Sequence, residues 1–172
     1  MATSKTKKTG LTREIAEFKE RRIVEEAVDL FYSEGYENAT LDMLAAQLEV
    51  TKPFIYSYFK SKNELLFQVC QTGIKLSQEA LDLCLQGDGT ATEKLKRVTE
   101  QVGSIILQYQ KYIVVYLREE KNLHSGDSRS IRKQRSLFDH RLAALLKEGN
   151  ITGEFAVSNP LMTATTIGGT LS

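Results

Sequence analysis

The chain has 172 residues, 41% hydrophobic and 26% charged, with a formal net charge of +1. That is enough to bury a core in one domain, or in a small domain fused to a larger one, and the near-neutral charge argues against a generally basic nucleic-acid binder. No apolar run reaches membrane-spanning length, and the polar start from Met1 to Gly10 lacks the apolar centre of a signal peptide, so a cytoplasmic protein with no membrane partner is expected.

Cys70 and Cys84 form no CxxC pair, and His124 and His140 stand far apart, so no metal-site spacing is present and both cysteines read as small core residues. There is no phosphate-binding glycine loop and no nucleophile with an obvious base; neither an enzyme nor a cofactor is expected. Charge is placed unevenly. Residues 1 to 22 hold seven cations against three acids, so 1–12 reads as a basic flexible arm.

Helical periodicity starts at Arg13, and Ile23, Ala27, Leu30 and Phe31 form one stripe that Gly35 should stop. Thr40 is placed to cap a helix of about two turns with Leu41, Leu44, Ala45 and Leu48 inward. Thr51 is placed to cap the next, with Pro53 in the first turn, where a missing N–H costs nothing. In that helix Ile55 and Phe59 share a buried face, while Lys52, Pro53, Tyr56 and Ser57 point elsewhere. Two short helices joined this briefly must cross steeply, and the first helix closes the three into a core.

Ser61 and Glu64 form a capping box that opens a helix running to about Leu85, long enough to join two bodies. A second box, Thr90 with Glu93, opens a stripe that passes Tyr109, Tyr112 and Tyr116, with a break expected near Tyr109 to Lys111. A further helix is expected from Ser128 to Lys147, stopping at Gly149. Asn159 and Pro160 then start a last helix. No charge follows Glu154, and an uncharged helix of small residues points to a subunit interface.

Gly35, Thr40, Leu44-Ala45, Val50-Thr51, Tyr56-Ser57-Tyr58-Phe59 and Lys62 closely resemble the helix-turn-helix of tetracycline-repressor-type (TetR) regulators. Two positions depart from that pattern: Glu49 stands at the family's turn glycine, and Asp42 lies where a carboxylate would repel phosphate. The resemblance implies an all-α fold: a three-helix DNA-binding domain over 13–60, joined by a long helix to a helical effector-binding and dimerisation domain over 61–172. It implies two interface helices, of which the chain shows one, so that either the last helix is absent from this sequence or the member is short. The implied function is a ligand-responsive regulator, a repressor that binds a palindromic operator in double-stranded DNA as a homodimer and is released by a small-molecule effector.

Carried over by position, Lys52 would donate to guanine, Pro53 and Tyr56 would pack on thymine methyls, Ser57 would bond adaptably, and Thr51 belongs to the same DNA-binding set. Tyr58, Thr40 and Lys62 would hold phosphates. Tyr109, Tyr112 and Tyr116 either line an effector pocket or fill the core, and Arg118 and Arg135 either meet an anionic ligand or pair at the surface. The stretch from Leu117 to Gly169 is similar, more weakly, to members that answer to acyl-CoA or steroid-CoA thioesters in lipid catabolism. The competing reading is a helical interaction module with a head that does not bind DNA, since residues 1 to 62 carry ten cations and ten acids.

Overall fold

The computed structural model describes the backbone of residues 3–170 and the side chains of 10–169. Every regular element among them is helical. They are α1 (Thr3–Asn38), α2 (Leu41–Gln47), α3 (Lys52–Tyr56), α4 (Lys62–Gln86), α5 (Ala91–Gln108), α6 (Gln110–Glu119), α7 (Ser125–Thr152) and α8 (Pro160–Thr170), with a 3-10 turn at Glu120–Asn122. The chain divides into two compact units, 1–69 and 70–172, with the division within α4. The arm expected over 1–12 lies partly outside the described residues. From Thr3 onward the described backbone is helical, so α1 opens well before Arg13.

In the first unit the predicted stripe is buried: Ile23, Ala27, Leu30 and Phe31 from α1, Leu41, Leu44 and Ala45 from α2, Ile55 of α3, and Phe59. Gly35 interrupts α1 at φ 76, ψ 157, a conformation that only glycine adopts cheaply. The helix resumes briefly to Asn38, and Lys62 reaches back to close this end. Its Nζ donates to the carbonyls of Tyr36 (2.7 Å) and Ala39 (2.9 Å), with Glu37 at 3.4 Å, and stands 4.3 Å from the centre of the Tyr36 ring. An ammonium has three donors, and three carbonyls surround this one.

The turn between α2 and α3 is a Schellman motif. The Val50 N–H donates to Ala45 (2.9 Å) and the Glu49 N–H to Ala46 (3.2 Å), satisfying the last carbonyls of α2. Glu49 sits in the left-handed region at φ 54, where glycine is favoured and a side chain costs roughly 1–2 kcal/mol. The departure noted in sequence is therefore tolerated in the glycine conformation and does not reshape the turn. Thr40 caps α2 as predicted, its Oγ1 accepting from the Met43 N–H at 3.2 Å. Thr51 occupies the cap position of α3 but makes no side-chain cap bond, and that helix relies on Pro53 and burial of Ile55 instead. At α4 the box is offset: Ser61 Oγ accepts from the Glu64 N–H, while Glu64 takes the Lys60 N–H at 2.6 Å.

The core of the second unit gathers Leu81 and Cys84 from α4, Val98 and Val102 from α5, Leu142, Leu145 and Leu146 from α7, and Ala164 from α8. The break after α5 falls at Tyr109, as predicted. Helix α7 corrects the expected bounds. It begins at Ser125 and passes through Gly149 to a left-handed Gly153 (φ 78, ψ 8). Gly149 is needed for closeness rather than for ending the helix: a Cβ there would lie 2.0 Å from Phe155 Cδ2. Asn150 pins the returning chain by accepting from the Val157 N–H (2.9 Å) and donating to the Val157 carbonyl (2.7 Å).

Glu154 ties this return to α5. Its carboxylate accepts from the Thr92 N–H (2.8 Å), the Ala91 N–H (3.2 Å) and the Thr152 hydroxyl (2.8 Å) at the helix N-terminus. Those donors, Thr92 foremost, lower its pKa from the ordinary glutamate value to about 2.

Three outcomes follow from these contacts. Glu49→Gly should raise stability by roughly 0.5–1 kcal/mol, relief of the left-handed strain being partly offset by a freer unfolded chain, measured by urea denaturation. Lys62→Ala should lower it by about 2 kcal/mol in the same titration, because several backbone carbonyls lose a charged donor together. The Glu154 contribution should be complete above about pH 5 and fade as pH falls from the ordinary glutamate value through about 2, since the folded pKa is the lower one. Glu154→Gln should flatten that part of the melting-temperature profile.

Candidate nucleic-acid interface and effector cavity

Helix α3 is five residues long, and its fold decides which side chains it can offer. With Ile55 and Phe59 inward, Pro53, Tyr56 and Ser57 are exposed, Tyr56 at 48%, and Lys52 is half-exposed. Phe54 lies half-buried behind them, its ring 5.3 Å from Tyr58 and 5.7 Å from Lys19 Nζ. That backing holds Tyr58 at the edge of the exposed face. Ser57 Oγ donates to the Phe54 carbonyl at 2.6 Å, which directs its remaining lone pairs outward. Thr40 uses an oxygen lone pair in capping and keeps its hydroxyl proton for an outside acceptor.

Two of the predicted cations are not simply presented to solvent. Lys62, expected to hold a phosphate, holds the end of α1 and is removed from that set. The sequence favoured an outward charge because nothing linear connects residue 62 to the carbonyls of 36 and 39. Lys52 Nζ lies 2.7 Å from Asp42 Oδ2, and that hydrogen bond raises the lysine pKa.

The second unit holds a cavity of about 190 Å³. Ile74, Ile106, Ile113 and Phe138 supply apolar wall, and Cys70 also lines it, a buried free thiol whose pKa burial pushes up to about 12. It is therefore a neutral, apolar surface rather than a nucleophile. Of the predicted pocket residues, Tyr112, Tyr116 and Arg135 line the cavity. Tyr109 and Arg118 do not: Tyr109 packs its ring 5.6 Å from that of Tyr112, and Arg118 is exposed beside Glu120 and Lys121. The stripe thus divides, Tyr109 falling at the break between helices.

Arg135 Nη1 reaches the Tyr116 hydroxyl at 3.5 Å, with the guanidinium 5.7 Å from the ring centre; burial raises the Tyr116 pKa, so the phenol stays protonated. Asp139 and Thr165, missed in sequence, face the same cavity 3.4 Å apart. Asp139 was within reach, since it lies one helical turn beyond Arg135 on the same face. Thr165 was not, because only packing brings α8 to α7. A Cβ on Gly168 would meet Asp139 Oδ1 at 2.8 Å, so glycine keeps this wall open. No helix among the described residues is long and apolar enough to cross a membrane.

Residues 23–69 match the family model for bacterial regulatory proteins of the tetR family, and residues 88–172 match that for the tetracyclin repressor-like C-terminal domain. Over 163 residues the chain is 23% identical to the HTH-type transcriptional regulator YfiR of Bacillus subtilis (strain 168), covering 89% of this chain and 76% of that one. Among solved structures, the TetR family transcriptional regulator PfmR from Thermus thermophilus aligns with a TM-score of 0.80 at 26% identity, over 87% of this chain and 82% of its own. AibR, solved with isovaleryl coenzyme A and operator DNA, shares the fold with a TM-score of 0.75 at 22% identity, over 88% and 83%. Matched in both its helix-turn-helix and its C-terminal helices, the chain belongs to the TetR family of DNA-binding transcriptional regulators with a helical ligand-binding domain.

Proposed function

We propose that this protein is a repressor that binds a palindromic operator as a homodimer and is released by a small acyl-type effector, an acyl-CoA thioester being the favoured form. The observation that carries the DNA assignment is the split of α3, with Ile55 buried while Pro53, Tyr56 and Ser57 face out and Lys52 stands half-exposed beside them. In a dimer two such helices enter successive turns of the major groove. Tyr56 and Pro53 supply apolar contact to thymine methyls, Lys52 supplies donors to guanine, and Thr40, Thr51, Ser57 and Tyr58 supply hydroxyls for phosphates and base edges.

Dimerisation is supported by α8, which carries no charge and leaves Leu161 and Met162 exposed at 41% and 69%. The effector reading rests on the cavity. At about 190 Å³ it is smaller than the roughly 300–1,000 Å³ of sites for drug-sized ligands, which suits a short branched chain with the polar remainder outside. AibR's isovaleryl coenzyme A carries such a chain. Arg135 and Tyr116 would donate to the thioester carbonyl, and binding would favour an arrangement of the dimer that spaces the reading helices wrongly for the operator.

The test is selection from random duplexes followed by anisotropy titration. Tyr56→Ala should weaken binding to the selected duplex at least about tenfold, or roughly 1.4 kcal/mol, with an unchanged melting temperature because the ring is exposed. Isovaleryl-CoA should release the duplex where free CoA does not. Selection that yields no preferred duplex supports an interaction module instead, and equal release by free CoA would remove the acyl chain from the assignment.

A further inference from the structure

The contact between Asp42 and Lys52 differs from the ion pairs along α1. Arg13 with Glu17, and Arg22 with Glu25 and Glu26, lie one turn apart along a single helix. The Asp42–Lys52 pair spans the helix-turn-helix, from the first turn of α2 to the first residue of α3. Only the turn at Glu49 and Val50 brings these residues together. Both remain in water, with side chains 68% and 41% exposed, so the pair adds little to stability.

We propose that Asp42 is a positioning residue for DNA specificity, acting through Lys52; this rests on α3 being the DNA-reading helix. A lysine ammonium has three donors. One is held by Asp42, leaving two, the number that guanine O6 and N7 accept in the major groove. The hold also removes part of the rotamer freedom that a long lysine otherwise loses only on binding. It further keeps the ammonium from roaming to whichever phosphate is near, which is how a cation attracts duplexes of any sequence.

The local charge inventory gives this restraint weight. Beyond residue 22 the head contains three cations, Lys52, Lys60 and Lys62. Lys62 is committed to the carbonyls of Tyr36 and Ala39. Tethering Lys52 therefore withdraws a large share of the positive charge that α3 and its flanks offer to a phosphate backbone. Affinity for arbitrary DNA falls, while a guanine placed to meet the two remaining donors is still bound.

The experiment uses the full chain, the operator recovered by selection, and a scrambled duplex of equal length, each titrated by fluorescence anisotropy across a series of salt concentrations. Asp42→Asn keeps the shape and removes the charge. It should tighten binding to the scrambled duplex about tenfold and to the operator less than about threefold, and steepen the salt slope on the scrambled duplex by about one. The same change made in Lys52→Met relieves only the direct repulsion between carboxylate and phosphate, and should tighten both duplexes equally, by less than about threefold. Equal tightening on both duplexes in the otherwise wild-type chain, no tightening, or a preferential tightening on the scrambled duplex that persists in Lys52→Met would each overturn the proposal. A wild-type chain that selects no duplex overturns the DNA-reading assignment itself, and is distinguished by appearing before any variant is made.

Discussion

Lys62 holds the first unit in the shape that makes α3 useful. The glycine break at residue 35 leaves the end of α1 with carbonyls that no helix satisfies, and the start of α2 must be set against them. One ammonium answers several of these carbonyls and stacks over Tyr36, tying the end of α1, the approach to α2 and the first turn of α4 to a single point. Such a group is costly to leave without partners in a half-buried place, so its bonds are strongly directional constraints. A cation that looks in sequence like a phosphate ligand is thus part of the scaffold.

The turn between α2 and α3 shows the complementary case, a residue retained against local preference. Glu49 adopts the left-handed conformation because the Schellman bonds of Val50 and Glu49 satisfy the last carbonyls of α2 only there. The strain is local and the geometry it maintains is tertiary: Asp42 beside Lys52, Ile55 buried, Tyr56 outward. Strain at this turn is consistent with a site whose geometry is held by its surroundings.

In the second unit, closeness of backbones governs the cavity and the chain return alike. Gly149 admits the ring of Phe155, and Gly168 keeps a wall clear of Asp139. Glycine costs a helix stability at both positions, and at both the neighbouring element occupies the space a side chain would need. The cavity is therefore bounded by where α7 and α8 can approach. Its charged groups lie on one turn of α7, where Arg135 and Asp139 share a face, while hydroxyls of Ser77, Tyr116 and Thr165 punctuate otherwise aliphatic and aromatic walls.

Much of this was legible in the linear chain. The cap at Thr40, the box at Thr90 and Glu93, the stripe of α1, the inward Ile55 and Phe59, the outward Tyr56, and the break at Tyr109 follow from local backbone chemistry and periodicity, which involve residues at most a few positions apart. Tertiary structure decided the rest. Lys62 turned inward, Asp42 met Lys52, Gly149 became a contact point within a longer α7, Tyr109 and Arg118 fell away from the cavity, and Asp139 and Thr165 joined it. Each of these depends on which surfaces meet after helices pack, and a side chain's partner across ten, twenty-six or more positions is set by that packing rather than by its neighbours in sequence.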